Sequence, residues 1–172
     1  VQRGLTLIEL IVTMALMALI LGMAIPVSRS IMASSELTAT TNAMVGVLNE
    51  ARVQGIRRNR TVWISPGVGE NGTTAWQNGI HATVGAPEEF LEQTVFLRAV
   101  STIDGRLEVS VDGADATQDA FGFSPEGYLL NADRVDFVLC NSITPSDSRR
   151  VRINLGGQIE TTTIERGECD GA

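Results

Sequence analysis

Apolar residues run almost unbroken from Leu5 to Ile25, and Glu9 is the only ionisable side chain among them. The tract is about 20 residues long, the length at which a helix crosses the hydrocarbon core of a bilayer. Beyond Pro26 the pattern changes. Leu37, Thr41, Met44, Leu48, Ala51 and Gly55 step by four and three, which marks one face of an amphipathic helix. Ser34, Thr38, Asn42, Asn49 and Arg52 mark the opposite face. Pro26 lacks an N–H, so it bends a helix without necessarily ending it. Together the two halves predict one continuous, kinked helix from Leu5 to Asn59, about 80 Å long.

From there on the pattern is β. Thr61–Ser65, Val95–Val100, Leu107–Val111, Ala120–Phe123, Val135–Cys140, Val151–Leu155 and Ile159–Ile164 are short apolar or alternating runs punctuated by Gly, Asn, Asp or Pro. Pro87-Glu88-Glu89-Phe90-Leu91-Glu92 adds a helical turn, with proline at a first helical position. The expected fold is α+β: a long kinked N-terminal helix, membrane-spanning in its first half, packed by its second half on a small antiparallel domain of two sheets.

Three readings of the N-terminal tract compete. A secretory signal peptide has an apolar core of about 7–15 residues with its cleavage site after it; this tract is longer, and Gly4 precedes it. A plain single-pass anchor accommodates the length but gives Glu9 no role, although an acid there costs about 2–4 kcal/mol. In the third reading, Gly4-Leu5-Thr6-Leu7-Ile8-Glu9 resembles the G-F-T-L-I-E signal of type IV pilins and pseudopilins, with Leu5 in place of Phe. The resemblance implies that a prepilin peptidase cuts between Gly4 and Leu5 and methylates the new amine. Glu9 then becomes the fifth mature residue, and Pro26 falls where the family has its helix-kinking proline. The Leu5 amine is positive below a pKa of about 8, and Glu9 lies about 6 Å further along the axis. In a filament, Glu9 of one subunit can pair with the Leu5 amine of a neighbour, so that two charges expensive in lipid offset each other. Arg3 precedes the tract and Arg29 is the first base after it, which orients the N-terminus to the cytoplasm.

The resemblance continues. Leu48-Asn49-Glu50-Ala51-Arg52-Val53-Gln54-Gly55-Ile56-Arg57-Arg58-Asn59-Arg60-Thr61-Val62 is similar to the L-x-x-A-R-x-x-A-I-x-R-N-x-x-V segment of one subgroup, the H-type minor pseudopilins of type II secretion and the FimT/FimU-like minor pilins. Trp76-Gln77-Asn78-Gly79-Ile80 resembles its W-x-x-G-W, with Ile80 for the second Trp. Phe121-Gly122-Phe123-Ser124-Pro125-Glu126-Gly127 resembles its F-x-x-x-G.

Charge and cysteine usage narrow the picture. With 20 acids and 13 bases, all arginine, the net charge is −7. That balance opposes nucleic-acid binding by bulk charge but leaves a local patch open. Aromatics are few, so the core is expected to rest on Val, Ile, Leu and Ala. Cys140 and Cys169 belong to no CxxC. In an exported domain they are expected to pair, and closing a loop of about 30 residues stabilises by about 3–4 kcal/mol. Two cysteines and one histidine do not make a zinc site.

Other candidate chemistry has bland readings. Gly67-Val68-Gly69-Glu70-Asn71-Gly72 matches G-x-G-x-x-G, but Thr73-Thr74-Ala75-Trp76 follows where a dinucleotide site needs a helix; a turn is expected. His81 has no G-x-S-x-G elbow to serve and reads as a structural histidine in a strand. Asp112-Gly113-Ala114-Asp115-Ala116-Thr117-Gln118-Asp119 lacks EF-hand spacing and reads as a solvated loop. Arg57, Arg58 and Arg60 form one basic cluster, and Arg149, Arg150 and Arg152 another. Some FimT-like pilins capture DNA through a G-R-x-R segment. Gly157-Gln158-Ile159-Glu160 stands there instead, with both arginines replaced and one position acidic. Arg150 and Arg152 share a strand face opposite Val151 and Ile153, which leaves a substitute patch open.

The expected molecule is a non-enzymatic minor pilin or pseudopilin without cofactor or metal. Residues 1–4 are the leader, 5–26 the transmembrane and filament-core helix, 27–60 its amphipathic continuation, and 61–172 the β-rich domain. Expected partners are other minor and major pilins or pseudopilins, the prepilin peptidase and inner-membrane lipid, with the domain periplasmic before assembly at or near a filament tip. The alternatives are a DNA-uptake pilin, a single-pass anchored domain and a tethered periplasmic enzyme.

Overall fold

A computed structural model describes residues 6–68, 73–85, 95–100, 107–112, 120–143, 147–164 and 169, with the backbone alone for 21–28 and 95–100. The leader, the expected turn at Pro87–Glu92 and most of the acidic loop lie outside the described residues. One helix, α1 (Leu7–Arg58), precedes nine strands. These are β1 (Val62–Val68), β2 (Thr74–Val84), β3 (Val95–Val100), β4 (Leu107–Asp112), β5 (Phe121–Phe123), β6 (Leu129–Leu130), β7 (Arg134–Asn141), β8 (Ser148–Asn154) and β9 (Ile159–Ile164).

Both ends of α1 are capped by side chains or turns that the sequence supplies. Thr6 sits in extended conformation, and its Oγ1 accepts from the Glu9 N–H at 3.4 Å. At the other end Asn59 turns left-handed (φ 52°, ψ 43°). Arg60 N–H then bonds Gly55 O at 3.1 Å, and Asn59 N–H bonds Ile56 O at 3.3 Å, closing the last turn. Arg57 and Arg58 fall in that turn, where the helix dipole favours positive charge.

Two antiparallel sheets follow, one ordered β3-β2-β1-β5-β6 and the other β4-β7-β8-β9. The second half of α1 packs into one core with both: Leu37, Met44, Val47, Leu48 and Ala51 meet Val62, Ile64 and Ile80 of the first sheet and Val135, Leu139, Val151 and Ile153 of the second. Although aromatics are few, they take the centre of this core. Trp76 of β2 lies edge-on to Phe137 of β7 at 5.3 Å and stacks on Phe121 of β5 at 6.0 Å, and Phe121 touches Phe137 at 6.0 Å. Apart from Phe123, the rest of the core is Leu, Val, Ile and Ala with Met44, as the scarcity of aromatics leads one to expect.

Of β2, only a strand around His81 was expected; Asn78-Gly79 within it has the local chemistry of a turn. The strand absorbs both residues at a bulge. Register with β1 shifts between Pro66 and Gly67, Gly79 takes φ 98°, and a Cβ on Gly67 would lie 2.2 Å from Asn78 O. Gly67 is therefore a close-approach glycine of a bulge. β6 has only two residues, too short for any periodicity.

Candidate functional site: a bare helix and a stitched domain

Among the described residues, the N-terminal part of α1 before Ala33 has no buried side chain. Leu7, Ile8, Leu10, Ile11, Val12, Met14, Leu16, Met17, Leu19 and Ile20 are all at least 50% exposed, and Ile31 and Met32 are each 62% exposed. Ala33 is the first buried residue of the helix among those described. Among the described residues no helix is long and apolar enough to cross a membrane; the run with described side chains, Leu7–Ile20, falls short of the about 20 residues a crossing requires. Within this run the Glu9 carboxylate has no hydrogen bond or ion pair among the described residues, while its N–H is held by Thr6. Thr6 and Glu9 thus have the S/T-x-x-E spacing of a helix cap, a second use of the signal that its sequence had not suggested. Gly4 and Leu5 lie outside the described residues. Pro26 falls inside α1, and its side chain is not described.

Where the helix enters the domain, the Ser34 hydroxyl donates to Asp147, and Asp147 pairs with Arg149 at 3.4 Å. Arg149 also donates to the Thr163 hydroxyl at 2.9 Å. At the far end Arg52 acts as a clamp. Its Nε donates to Gly127 O at 3.0 Å and its NH2 to Gly156 O at 3.2 Å. Gly127 (φ 86°) and Gly157 (φ 70°) are left-handed, and a Cβ on Gly157 would lie 2.0 Å from Gly127 O. Leu129 N–H bonds Leu155 O at 2.9 Å beside them. A third stitch joins the sheets. The Gln77 amide on β2 donates to Leu107 O at 2.6 Å and accepts from Val109 N–H at 2.9 Å, so it stands in for a neighbouring strand at the β4 edge. Arg52 had been placed on a polar face and Gln77 within a motif; neither sequence position signalled these contacts.

The arginines of β8 are engaged within the domain. Arg152 grips Asp136 with two bonds, Nε to Oδ1 at 2.8 Å and NH2 to Oδ2 at 3.0 Å, and Arg134 approaches the same carboxylate at 3.3 Å. Asp136 is buried, and a buried carboxylate requires such partners. Val151 and Ile153 are buried on the opposite face. Of the other cluster, Arg58 bonds Gln54 at 2.9 Å, and Arg57, Arg58 and Arg60 are exposed. Cys140 and Cys169 are bonded, with Cα atoms 5.9 Å apart, and they pack with Val138 and Ile164 on the outer face of the second sheet. His81 is half-buried in β2, and burial lowers its pKa below the ordinary 6.5. No group of His, Cys, Asp and Glu among the described residues is arranged to hold a metal.

A long helix, apolar and bare at one end and sunk into a two-sheet domain at the other, defines a pilin-like subunit. The model of the family described as Type II transport protein GspH matches residues 40–157, and that of the prokaryotic N-terminal methylation motif matches residues 1–25. The chain therefore belongs to the GspH family. Its fold is similar to the type IV minor pilin FimU of Pseudomonas aeruginosa PAO1 in two crystal forms. One gives a TM-score of 0.59 at 18% identity, covering 74% of this chain and 89% of that one. The other gives 0.52 at 20% identity, covering 76% and 90%. No curated protein sequence matches the chain.

The residues that resemble the subgroup's motifs have folding roles here. Leu48 and Ala51 are buried, Arg52 clamps Gly127, Asn59 ends the helix, and Trp76 and Phe121 meet in the core. Arg52→Ala should destabilise the full chain by about 1–3 kcal/mol in denaturant unfolding in detergent. Arg52→Lys should recover only part of that, because one ammonium cannot fork to two carbonyls. For His81, the unfolded state binds the proton more tightly than the folded one, so stability falls as pH drops below about 6.5. Replacing it with Gln should flatten that part of the profile, read as the difference in denaturant midpoint between pH 7.5 and 5.

Proposed function

We propose that this chain is a minor subunit of a type IV pilus or a type II secretion pseudopilus. It is made with residues 1–4 as a leader and cut between Gly4 and Leu5 by a prepilin peptidase, which methylates the new amine. Residues 5–26 hold it in the inner membrane, N-terminus inward and domain in the periplasm, until the same segment packs among the helices of neighbouring pilins at or near a filament tip. The observation that carries this reading is the Glu9 carboxylate, without a partner among the described residues, at the head of a helix whose described apolar side chains from Leu7 to Ile20 stand exposed. Such a helix loses little burial in moving from lipid into a protein bundle, and the acid gains an amine there. The match to the methylation motif supports the processing step, and likeness to a minor pilin supports the class of assembly.

DNA uptake is not favoured. Arg152 and Arg149 are held by Asp136 and Asp147, and Glu160 lies directly across from Arg152, so the patch offers phosphate little uncompensated charge.

Gly4→Ala should block maturation, seen by mass spectrometry as an intact Gly4–Leu5 bond in cells with an active peptidase. Glu9→Ala should be processed normally yet enter filaments poorly. Cleavage elsewhere, or full incorporation of the Glu9 variant, contradicts the proposal.

A further inference from the structure

β9 is the last strand of its sheet, and among the described residues nothing pairs with its outer edge. Asn154 N–H bonds Gln158 O at 3.1 Å, and this fixes the phase of the β8–β9 ladder, whose register runs unbroken from Ile153↔Ile159 to Ser148↔Ile164. In an antiparallel ladder alternate residues turn both backbone groups to the same side. Gln158, Glu160, Thr162 and Ile164 therefore face β8, and Ile159, Thr161 and Thr163 present N–H and C=O outward. Among the described residues none of these outward groups is bonded. Edges of this kind are normally blunted by Pro, Lys, a bulge or a covering segment. This one reads Ile-Glu-Thr-Thr-Thr-Ile, is regular and mostly exposed, and is built of good strand formers.

The structure narrows what covers it. Cys169 is not on that edge: it is tied to Cys140 on β7, two strands inward. A second copy pairing edge to edge in antiparallel fashion would be related by a two-fold axis normal to the sheet. That operation turns the helix packed on the sheet end for end, which a shared membrane or filament direction forbids. A strand from a different protein is under no such constraint. Its charge is indicated by Glu160, which is exposed. The cross-strand neighbour Arg152 has turned to Asp136 with both arms of its fork, and Glu160 makes no ion pair among the described residues.

We propose that the Ile159–Ile164 edge accepts an extended strand donated by a different subunit of the assembly, paired through Ile159, Thr161 and Thr163 and bearing a basic residue opposite Glu160. Main-chain bonds supply the attraction in such strand addition, and alternate side chains the choice of partner. The inference rests on the assembly reading above.

The test is hydrogen exchange on the full chain, compared between detergent-dispersed protein and filaments containing it, resolved to single amides. The Ile159, Thr161 and Thr163 amides should slow by at least about ten-fold on assembly, and Glu160→Lys should reduce that protection. Thr161→Pro removes only an outward donor, a position where an edge strand tolerates proline; it should melt like the parent yet enter filaments at least about ten-fold less. Amides that exchange equally fast in filaments and detergent overturn the inference and leave the assembly reading standing. Failure of the unaltered chain to enter filaments at all overturns both. Should the proline variant not fold, the exchange rates of the unaltered chain decide alone.

Discussion

Everything in this molecule depends on one helix being used twice. From Ala33 onward its apolar stripe is closed off by two sheets, and Leu37, Met44, Val47, Leu48 and Ala51 are fully buried. Before Ala33 the large apolar side chains that are described, Leu7 to Ile20 and Ile31 and Met32, stand exposed. No hydrophobic periodicity distinguishes a face in that first half, because every side of it must find cover from outside. The second half is amphipathic because its cover comes from one side only. On the function proposed above, the change of pattern along a continuous helix is a change of solvent, from lipid or neighbouring helices to the domain's own sheets.

The domain's remaining interactions hold its parts in register around that helix. Trp76, Phe121 and Phe137 fill the space where the sheets converge. Polar contacts close the rim: Gln77 across the sheets, Arg52 across the two glycine turns, and Ser34 with Asp147 at the helix entry. Each satisfies backbone or side-chain groups that would otherwise be stranded where regular pairing ends. The arginines that might have formed a phosphate-binding surface belong to this same economy of internal pairing. That is why a chain with 13 arginines shows no strong basic face on β8.

Much of this was legible in the sequence, and the failures are instructive. The buried face Leu37–Gly55 follows from spacing alone, because a helix repeats every 3.6 residues over many turns and the signal accumulates. Most strands were legible for a similar reason. β2 was legible only around His81, since Asn78-Gly79 carries the local chemistry of a turn while the bulge opposite it is fixed by contacts with β1. Asp136 hides in an apolar run, and only the arrival of Arg152 from another strand explains it. Arg52 and Gln77 share that lesson: a long polar side chain aimed at a distant carbonyl leaves no periodic trace. The motif around Glu9 was the clearest feature of all, and its Thr6-x-x-Glu9 spacing also carries the cap that starts the helix.

The central claim is that the first half of the helix contributes nothing to the fold and takes its cover from other molecules. The most direct measurement is thermal unfolding of a chain beginning at Arg29 beside the full chain in detergent. The account predicts a water-soluble, cooperatively folded domain whose midpoint lies within about 2–4 °C of the full chain, the shift a change of about 1 kcal/mol produces, while the full chain aggregates without detergent. A truncated chain that fails to fold, or a full chain that stays monomeric in plain buffer, would contradict it.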